Sequence, residues 1–221
     1  MKKLILVYSF LLFVIPIVTL FICFKIIAFY YPDFQTFPFI DGKASVSMIG
    51  RGEKTISIFK SGFLLYASIS LFFYLEISKF ILSKKIKNKF KISGFLTNFF
   101  LCVYIFALGK DGAFYEISRR LAIIFYIINM YINHVYLVKL LKLLNNKREM
   151  QFSKIYLPVF YTIIFLMTVL IIIGSPWINP LLNYPDKLKN IIEWNYFLLT
   201  IIFYIPLFFL FWQFKEKVNE L

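Results

Sequence analysis

Hydrophobic residues fall into six long stretches along this chain, and shorter polar segments separate them. The stretches cover residues 4–29, 58–82, 92–108, 121–144, 155–173 and 191–214. A helix needs about 20 apolar residues to cross the hydrocarbon core of a bilayer, and every stretch is close to that length. The pattern therefore predicts an all-α, polytopic membrane bundle with six transmembrane helices, built as a single domain over residues 1–221.

The composition also indicates a membrane protein. Hydrophobic residues make up 61% of the chain, against about 45–50% in soluble domains. The first stretch follows Met1, Lys2 and Lys3 as a signal peptide would, but it exceeds the roughly 7–15 apolar residues of such a peptide and lacks a nearby cleavage site. We therefore expect it to be retained as the first span of an integral, multi-pass membrane protein. The sequence does not specify which membrane.

Basic residues are unevenly distributed between the two sides of the predicted bundle. The chain has 25 Lys and Arg against 11 Asp and Glu, and more of the cations flank the side that holds both termini. Because cytoplasmic loops carry an excess of Lys and Arg, both termini are predicted to be cytoplasmic. No soluble domain remains to present this charge to nucleic acid, so a nucleic-acid partner is not expected.

Three polar segments should meet on the opposite, non-cytoplasmic face: residues 40–63, 109–120 and 174–189. Arg51 lies in the first, between Gly50 and Gly52, which let the backbone approach a ligand closely. Guanidinium groups bind phosphate oxygens in a bidentate manner. The sequence thus predicts a lipid-headgroup site formed by Arg51, Glu116, Arg119, Arg120, Glu193 and Trp194.

Each residue type in this predicted site has a distinct role. The arginines would hold a phosphate, the two glutamates would orient them or accept sugar hydroxyls, and Trp194 would lie at headgroup level. The alternative is that the same arginines are interfacial anchors that pair with neighbouring acids. Both interpretations stay open from the sequence.

Polar residues also follow one face of each of two predicted spans. On the fourth they are Arg119, Tyr126, Asn129, Asn133 and Tyr136, and on the sixth Glu193, Tyr196, Thr200 and Tyr204. Spacings of three, four and seven residues place each set on one side of a helix. Both stripes should turn into the bundle, because polar groups are unfavourable in lipid. They would either form interhelical hydrogen bonds or line the conducting path of a small transporter or channel.

Candidate catalytic chemistry is sparse. The single histidine, His134, has no evident Ser, Cys or carboxylate partner in its span, and Cys23 and Cys102 lie in apolar stretches. We therefore expect neither a metal site nor a cofactor, and we identify no catalytic residue, which leaves enzyme activity open. Glu76 and Lys79 are expected to form an ion pair at the cytoplasmic end of the second span.

Three short motifs carry a resemblance to a known family. They are Ser45-Val46-Ser47-Met48-Ile49-Gly50, Ile58-Phe59-Lys60-Ser61-Gly62-Phe63 and Glu193-Trp194. With the six-span layout they resemble the DRAM/FRAG/SFK family, which includes damage-regulated autophagy modulators and proteins that remodel GPI-anchor lipids. The resemblance implies a helical membrane protein concerned with lipids or membrane trafficking, and no agreed catalytic residue. Arg119 and Arg120 stand where a family histidine would be expected, so a histidine-dependent role is not implied.

The leading functional hypothesis is a membrane protein that binds or acts on lipids at its non-cytoplasmic face, in lipid remodelling, lipid distribution or membrane trafficking. Membrane lipids are its expected partners. A small transporter or channel and a non-catalytic scaffold subunit are the alternatives. The sequence leaves open whether another membrane protein or a second copy of the chain is bound.

Overall fold

The computed structural model describes residues 2–31, 36–81, 84–146, 155–174 and 185–219. Within these ranges the chain forms eight α-helices and no strand. Their bounds are α1 (Lys2–Tyr30), α2 (Val46–Arg51), α3 (Ile56–Ser78), α4 (Lys84–Ala107), α5 (Ala113–Asn146), α6 (Tyr156–Ile173), α7 (Asp186–Ile202) and α8 (Tyr204–Asn219).

Six helical segments are long and apolar enough to cross a membrane. The helices α1, α3, α4, α5 and α6 each provide one, and α7 and α8 together provide the last, Asp186–Gln213. The prediction of an all-α, six-span integral membrane protein is therefore confirmed.

The observed helices extend beyond the apolar stretches where polar residues continue the helix. The helix α5 begins at Ala113 instead of Leu121. The helix α7 begins at Asp186 instead of Ile191. Acidic residues in these first turns, Glu116 and Asp186, suit the positive end of a helix dipole. Hydropathy marks the part of a helix inside the bilayer and misses its polar turns.

The last span is interrupted at Phe203, between α7 and α8. Pro206 explains the break, because proline has no N–H to donate to the carbonyl of Ile202 and its ring crowds that carbonyl. The sequence pattern predicted one continuous span here, since Pro206 is surrounded by apolar residues.

The first and last spans run antiparallel and in contact. Phe10 packs on Phe208 with ring centroids 5.6 Å apart, and Phe24 packs on Trp194, also at 5.6 Å. Both chain ends therefore lie at one end of the bundle, which we call the inner end. The short helix α2 and the connection between α4 and α5 lie at the other, which we call the outer end. That the inner end faces the cytoplasm stays a prediction.

The ion pair predicted between Glu76 and Lys79 is present at the inner end of α3. Lys79 directly follows the last turn of this helix. An ordinary pair between residues three apart therefore accounts for the charge of Glu76.

A tightly packed cluster occupies the inner half of the bundle. We call it the inner core, and its members are Tyr74, Phe90, His134, Phe160, Phe203 and Tyr204. All are at most 1% exposed. His134 lies against Phe203 with ring centroids 4.0 Å apart, and Phe160 packs on Phe203 at 5.0 Å. His134 thus packs as an aromatic ring.

Candidate functional site

A cavity of about 770 Å³ lies in the outer half of the bundle. Side chains from α2, α3, α4, α5, α6 and α7 line it. Most of the lining residues are apolar: Val46, Phe59, Phe63, Leu101, Ile123, Ile124, Ile127, Ile128, Leu170, Ile171, Ile192 and Phe197. The volume lies within the range of about 300–1,000 Å³ that is usual for small-molecule sites.

Two of the hydroxyl groups on the cavity wall are already used by the protein. Tyr196 donates its hydroxyl hydrogen to the carbonyl of Ile127 at 3.2 Å. Thr200 donates to the carbonyl of Tyr196 at 3.0 Å. Because these donors are satisfied within the bundle, an apolar occupant would leave no hydrogen bond of theirs unmade.

From two exposed residues in its wall, we infer that the cavity opens sideways through the surface of the bundle. Ile124 and Ile128 line it and are nevertheless 40% and 44% exposed. Both residues lie in the membrane-spanning part of α5. An apolar molecule in the bilayer would therefore reach the cavity at this point without passing through water.

Two cations lie at the outer end of the cavity, Arg120 on α5 and Lys189 on α7. Arg120 pairs with Glu116, and Lys189 pairs with Asp186 at 3.0 Å. The arginine and lysine side chains are 75% and 44% exposed. Ion pairs this exposed are worth about 0–1 kcal/mol, so both cations can exchange their partners for another anion.

The carboxylate of Glu193 also lies in the cavity wall. The backbone N–H groups of Val46 and Ser47, in the first turn of α2, lie close to this carboxylate. Arg51 contributes a positive charge nearby. Glu193 therefore joins the polar segment that follows α1 to the last span.

Donors on α7 hold the backbone of the loop before α2. The bonds run from Asn190 to the carbonyl of Gly42 at 2.9 Å, from Trp194 to Ala44 at 2.7 Å and from Asn195 to Phe39 at 3.0 Å. Gly42 has a φ of +59°, and a Cβ there would come within 2.0 Å of the Lys187 carbonyl oxygen, so only glycine fits. The indole of Trp194 is 1% exposed and anchors this loop.

Arg119 and Arg51 both donate to backbone carbonyls. Arg119 bonds to the carbonyls of Ala107 and Lys110, at 3.0 and 2.6 Å, and so holds the connection between α4 and α5. Arg51 donates to the carbonyl of Ser47 in its own helix at 3.3 Å.

Gly50 lies inside α2 and faces α3. A Cβ at this position would be 2.8 Å from the ring of Phe59. The close approach that the sequence suggested for a ligand is therefore made by Phe59, and Gly50 serves the packing of α2 on α3.

The structure brings part of the predicted headgroup site together. Arg120 and Glu193 both line the cavity. Glu116 is beside them through its pair with Arg120, and Arg51 through its charge near Glu193. Arg119 and Trp194 serve the outer connections instead, through the backbone carbonyls described above.

The polar stripe of the sixth span turns into the bundle. Tyr196, Thr200 and Tyr204 are all buried. The first two line the cavity together with Glu193. Tyr204 lies deeper, and its hydroxyl oxygen is 3.4 Å from that of Tyr74. The stripe therefore runs from the cavity into the inner core.

The stripe of the fourth span is less uniform. Tyr126 and Asn133 are buried, whereas Asn129 and Tyr136 are only half-buried. Asn133 donates to the Thr97 hydroxyl on α4 at 2.8 Å. Asn129 donates to a carbonyl of its own helix at 2.8 Å. Only part of this stripe therefore joins one helix to another.

Sequence reasoning missed Lys189 and the isoleucines at the opening. Lys189 lies four residues before Glu193, so helical spacing could have placed both on one face. Nothing in the sequence distinguishes Ile124 and Ile128 from other apolar residues of the same span, because an opening depends on the separation of neighbouring helices.

Comparison of the chain with protein-family models, curated proteins and solved structures gave no match. The chemistry of the cavity is therefore the basis on which a function can be assigned. It combines an apolar wall, a sideways opening in a membrane span, and charged groups at the outer end.

Proposed function

We propose that this integral membrane protein binds one phospholipid in the cavity, as part of lipid remodelling, lipid distribution or membrane trafficking. An acyl chain lies against the apolar wall, and the phosphate lies near Arg120 and Lys189. The observation that carries the proposal is a largely apolar cavity that opens sideways at Ile124 and Ile128 and has cations at its outer end.

The sideways opening favours a lipid over a water-soluble ligand. A lipid enters from the bilayer with its chain already in an apolar environment, so little water has to be displaced from the chain. Its contacts with the wall are then mainly van der Waals contacts, as between helices in a membrane. The polar headgroup stays at the outer end, where it meets charged groups.

Arg120 and Lys189 suit the phosphate for electrostatic reasons. A guanidinium can donate two parallel hydrogen bonds to phosphate oxygens, and an ammonium adds a compact positive charge. Their present partners, Glu116 and Asp186, are 53% and 93% exposed and are easily solvated when a phosphate replaces them.

Membership of the DRAM/FRAG/SFK family is part of this proposal. The motif at Ser45–Gly50 and the Glu193-Trp194 motif lie far apart in the chain, yet Glu193 lies close to the backbone N–H groups of Val46 and Ser47. Trp194 bonds to Ala44, directly before the first motif. Their contact at the edge of the cavity supports a common role for the residues that carry the resemblance.

Native mass spectrometry of protein purified in gentle detergent tests the lipid site. Wild type is compared with Arg120→Ala/Lys189→Ala. The matched control is Lys139→Ala/Lys142→Ala, which removes two exposed cations from the inner end of α5. We expect wild type and control to retain one phospholipid per chain, and the cavity variant to retain at least tenfold less.

A second variant tests the apolar part of the site. Ile123→Trp/Ile127→Trp adds bulk to the wall on successive turns of α5, and should displace the acyl chain while leaving every charge in place. Unchanged lipid retention in both cavity variants would overturn the proposal. Ion current or solute uptake in vesicles, together with unchanged retention, would favour the transport alternative.

A further inference from the structure

We propose that the cavity selects a zwitterionic phospholipid whose headgroup ends in a primary ammonium, with Glu193 as the residue that recognises it. This inference rests on the proposed function and names the lipid class. Arg120 on α5 and Glu193 on α7 carry opposite charges and line the same cavity. A headgroup that lies between the two helices would place its phosphate at Arg120 and its ammonium at Glu193.

Glu193 differs from the other acids around the cavity in its position. Glu116 and Asp186 are exposed and already pair with Arg120 and Lys189. Glu193 pairs with no lysine or arginine within 4.0 Å among the described residues. Its neighbours are the backbone N–H groups of Val46 and Ser47 in α2, which lie close to the carboxylate.

Carboxylate chemistry favours an ammonium over other headgroup ends. A carboxylate has two oxygens with about four acceptor sites, so it can accept hydrogen bonds from a ligand while it stays beside the N–H groups of α2. A primary ammonium offers three N–H donors and a full positive charge. A hydroxyl-terminated headgroup can donate one hydrogen bond to the carboxylate, but it lacks the Coulomb attraction that the full positive charge of an ammonium adds.

The helical spacing of Lys189 and Glu193 fits a headgroup with two charges. Residues four apart lie on one face of a helix, about 6 Å apart along its axis. Lys189 can therefore assist Arg120 at the phosphate while Glu193 receives the ammonium, which in an ethanolamine headgroup is two carbons away. A headgroup with no cation would leave the carboxylate facing a phosphate, which is repulsive.

Competition between two lipids of matched chains tests the inference. The full-length protein is equilibrated with equal amounts of phosphatidylethanolamine and phosphatidylglycerol in detergent, and the bound ratio is read by native mass spectrometry. Wild type should hold the ethanolamine lipid at least fivefold over the glycerol lipid. Glu193→Gln should hold about equal amounts of both. The matched control Glu53→Gln, an exposed acid outside the cavity, should keep the wild-type ratio.

A series of lipids tests the same contact without any mutation. Successive methylation of the ethanolamine nitrogen removes N–H donors one at a time while the positive charge remains. Wild-type binding should fall along the series to the choline lipid. Equal binding along the series, an equal ratio in wild type, or a preserved ratio in Glu193→Gln would overturn the inference. The proposed lipid site itself would be overturned by different results, namely the absence of bound lipid or unchanged retention in both cavity variants.

Discussion

The outer cavity and the inner core lie in the same helical bundle, but one is hollow and the other is filled. The inner core consists of aromatic rings, whereas the wall of the cavity is mainly aliphatic, with three phenylalanines and a few hydroxyls. In the inner core, α6 inserts Phe160 against Phe203 at 5.0 Å and fills the centre. In the outer half, α6 contributes Leu170 and Ile171 only to the edge of an open volume.

The two halves therefore differ in the size of the side chains that α6 contributes, a phenylalanine ring in the inner half and aliphatic side chains in the outer half. Close-packed regions lose many contacts when a side chain is removed, whereas residues beside a cavity already lack partners on one side. The two halves should therefore respond differently to the same substitution.

The largest expected effect comes from truncating one phenylalanine in each half. Phe203→Ala should destabilise the protein by about 3 kcal/mol, at the low end for buried Phe→Ala because lipid is as apolar as the core. Phe197→Ala, on the cavity wall, should cost less than half as much. Thermal or denaturant unfolding in detergent measures both, and equal losses would remove the distinction between the two halves.

A smaller effect should separate two asparagines of the fourth span. Asn133 joins α5 to the Thr97 hydroxyl of α4, and Asn129 bonds only within α5. Asn133→Ala should lower the free energy of unfolding by about 0.6 kcal/mol, the average for interhelical hydrogen bonds in a membrane protein. Asn129→Ala serves as the matched control and should be near neutral. A neutral Asn133→Ala would mean that the bond is replaced in the unfolded state.

The smallest effect concerns pH and the outer loop. Asp41 accepts hydrogen bonds from the backbone N–H groups of Lys43 and Phe37, at 2.9 and 2.7 Å, and from the Thr36 hydroxyl at 2.8 Å. These bonds, with the Lys43 amide first, hold the pKa of Asp41 below its usual value. The ionised Asp41 therefore stabilises the folded loop fully at pH values above its pKa in the unfolded chain, about 3.9. This stabilisation is lost as the pH falls through the lowered pKa of the folded chain.

Hydrogen exchange of the Phe37 and Lys43 amides, corrected for intrinsic rates, tests this dependence. In wild type, the protection of both amides should fall as the pH is lowered from about 5 to about 3, a range that surrounds the ordinary Asp pKa of about 3.9. Asp41→Ala should show low protection at both pH values. Amides near Tyr74 in the inner core should not change, and a parallel fall there would point to general unfolding.

Hydropathy was enough to predict the membrane spans but not their interruptions. The apolar stretches have the length of a bilayer, which fixes number and class of helices. The break at Phe203 arises because Pro206 lacks one backbone N–H donor. Hydropathy averaged over many residues does not detect a single missing donor.

The candidate site was predictable only where its residues have unusual chemistry. Arg120 and Glu193 were selected because a guanidinium can bind phosphate and a carboxylate can orient it, and both line the cavity. Arg119 has the same chemistry but bonds to the end of α4. Which neighbouring arginine faces a cavity depends on helix rotation and on contacts between spans, and neither can be determined from one sequence.

The hydrogen bonds from α7 to the loop before α2 also set an order for biosynthesis. Trp194 and its acceptor Ala44 are 150 residues apart. At about 5–20 residues per second, the ribosome makes the acceptor roughly 8–30 s before the donor. The loop therefore leaves the insertion machinery without its final partners, and a chain that stops before α7 has nothing to replace them. Nascent chains arrested before α7 should be cleaved by protease within the loop more readily than chains arrested after it, because α7 supplies the hydrogen-bond donors that hold this loop.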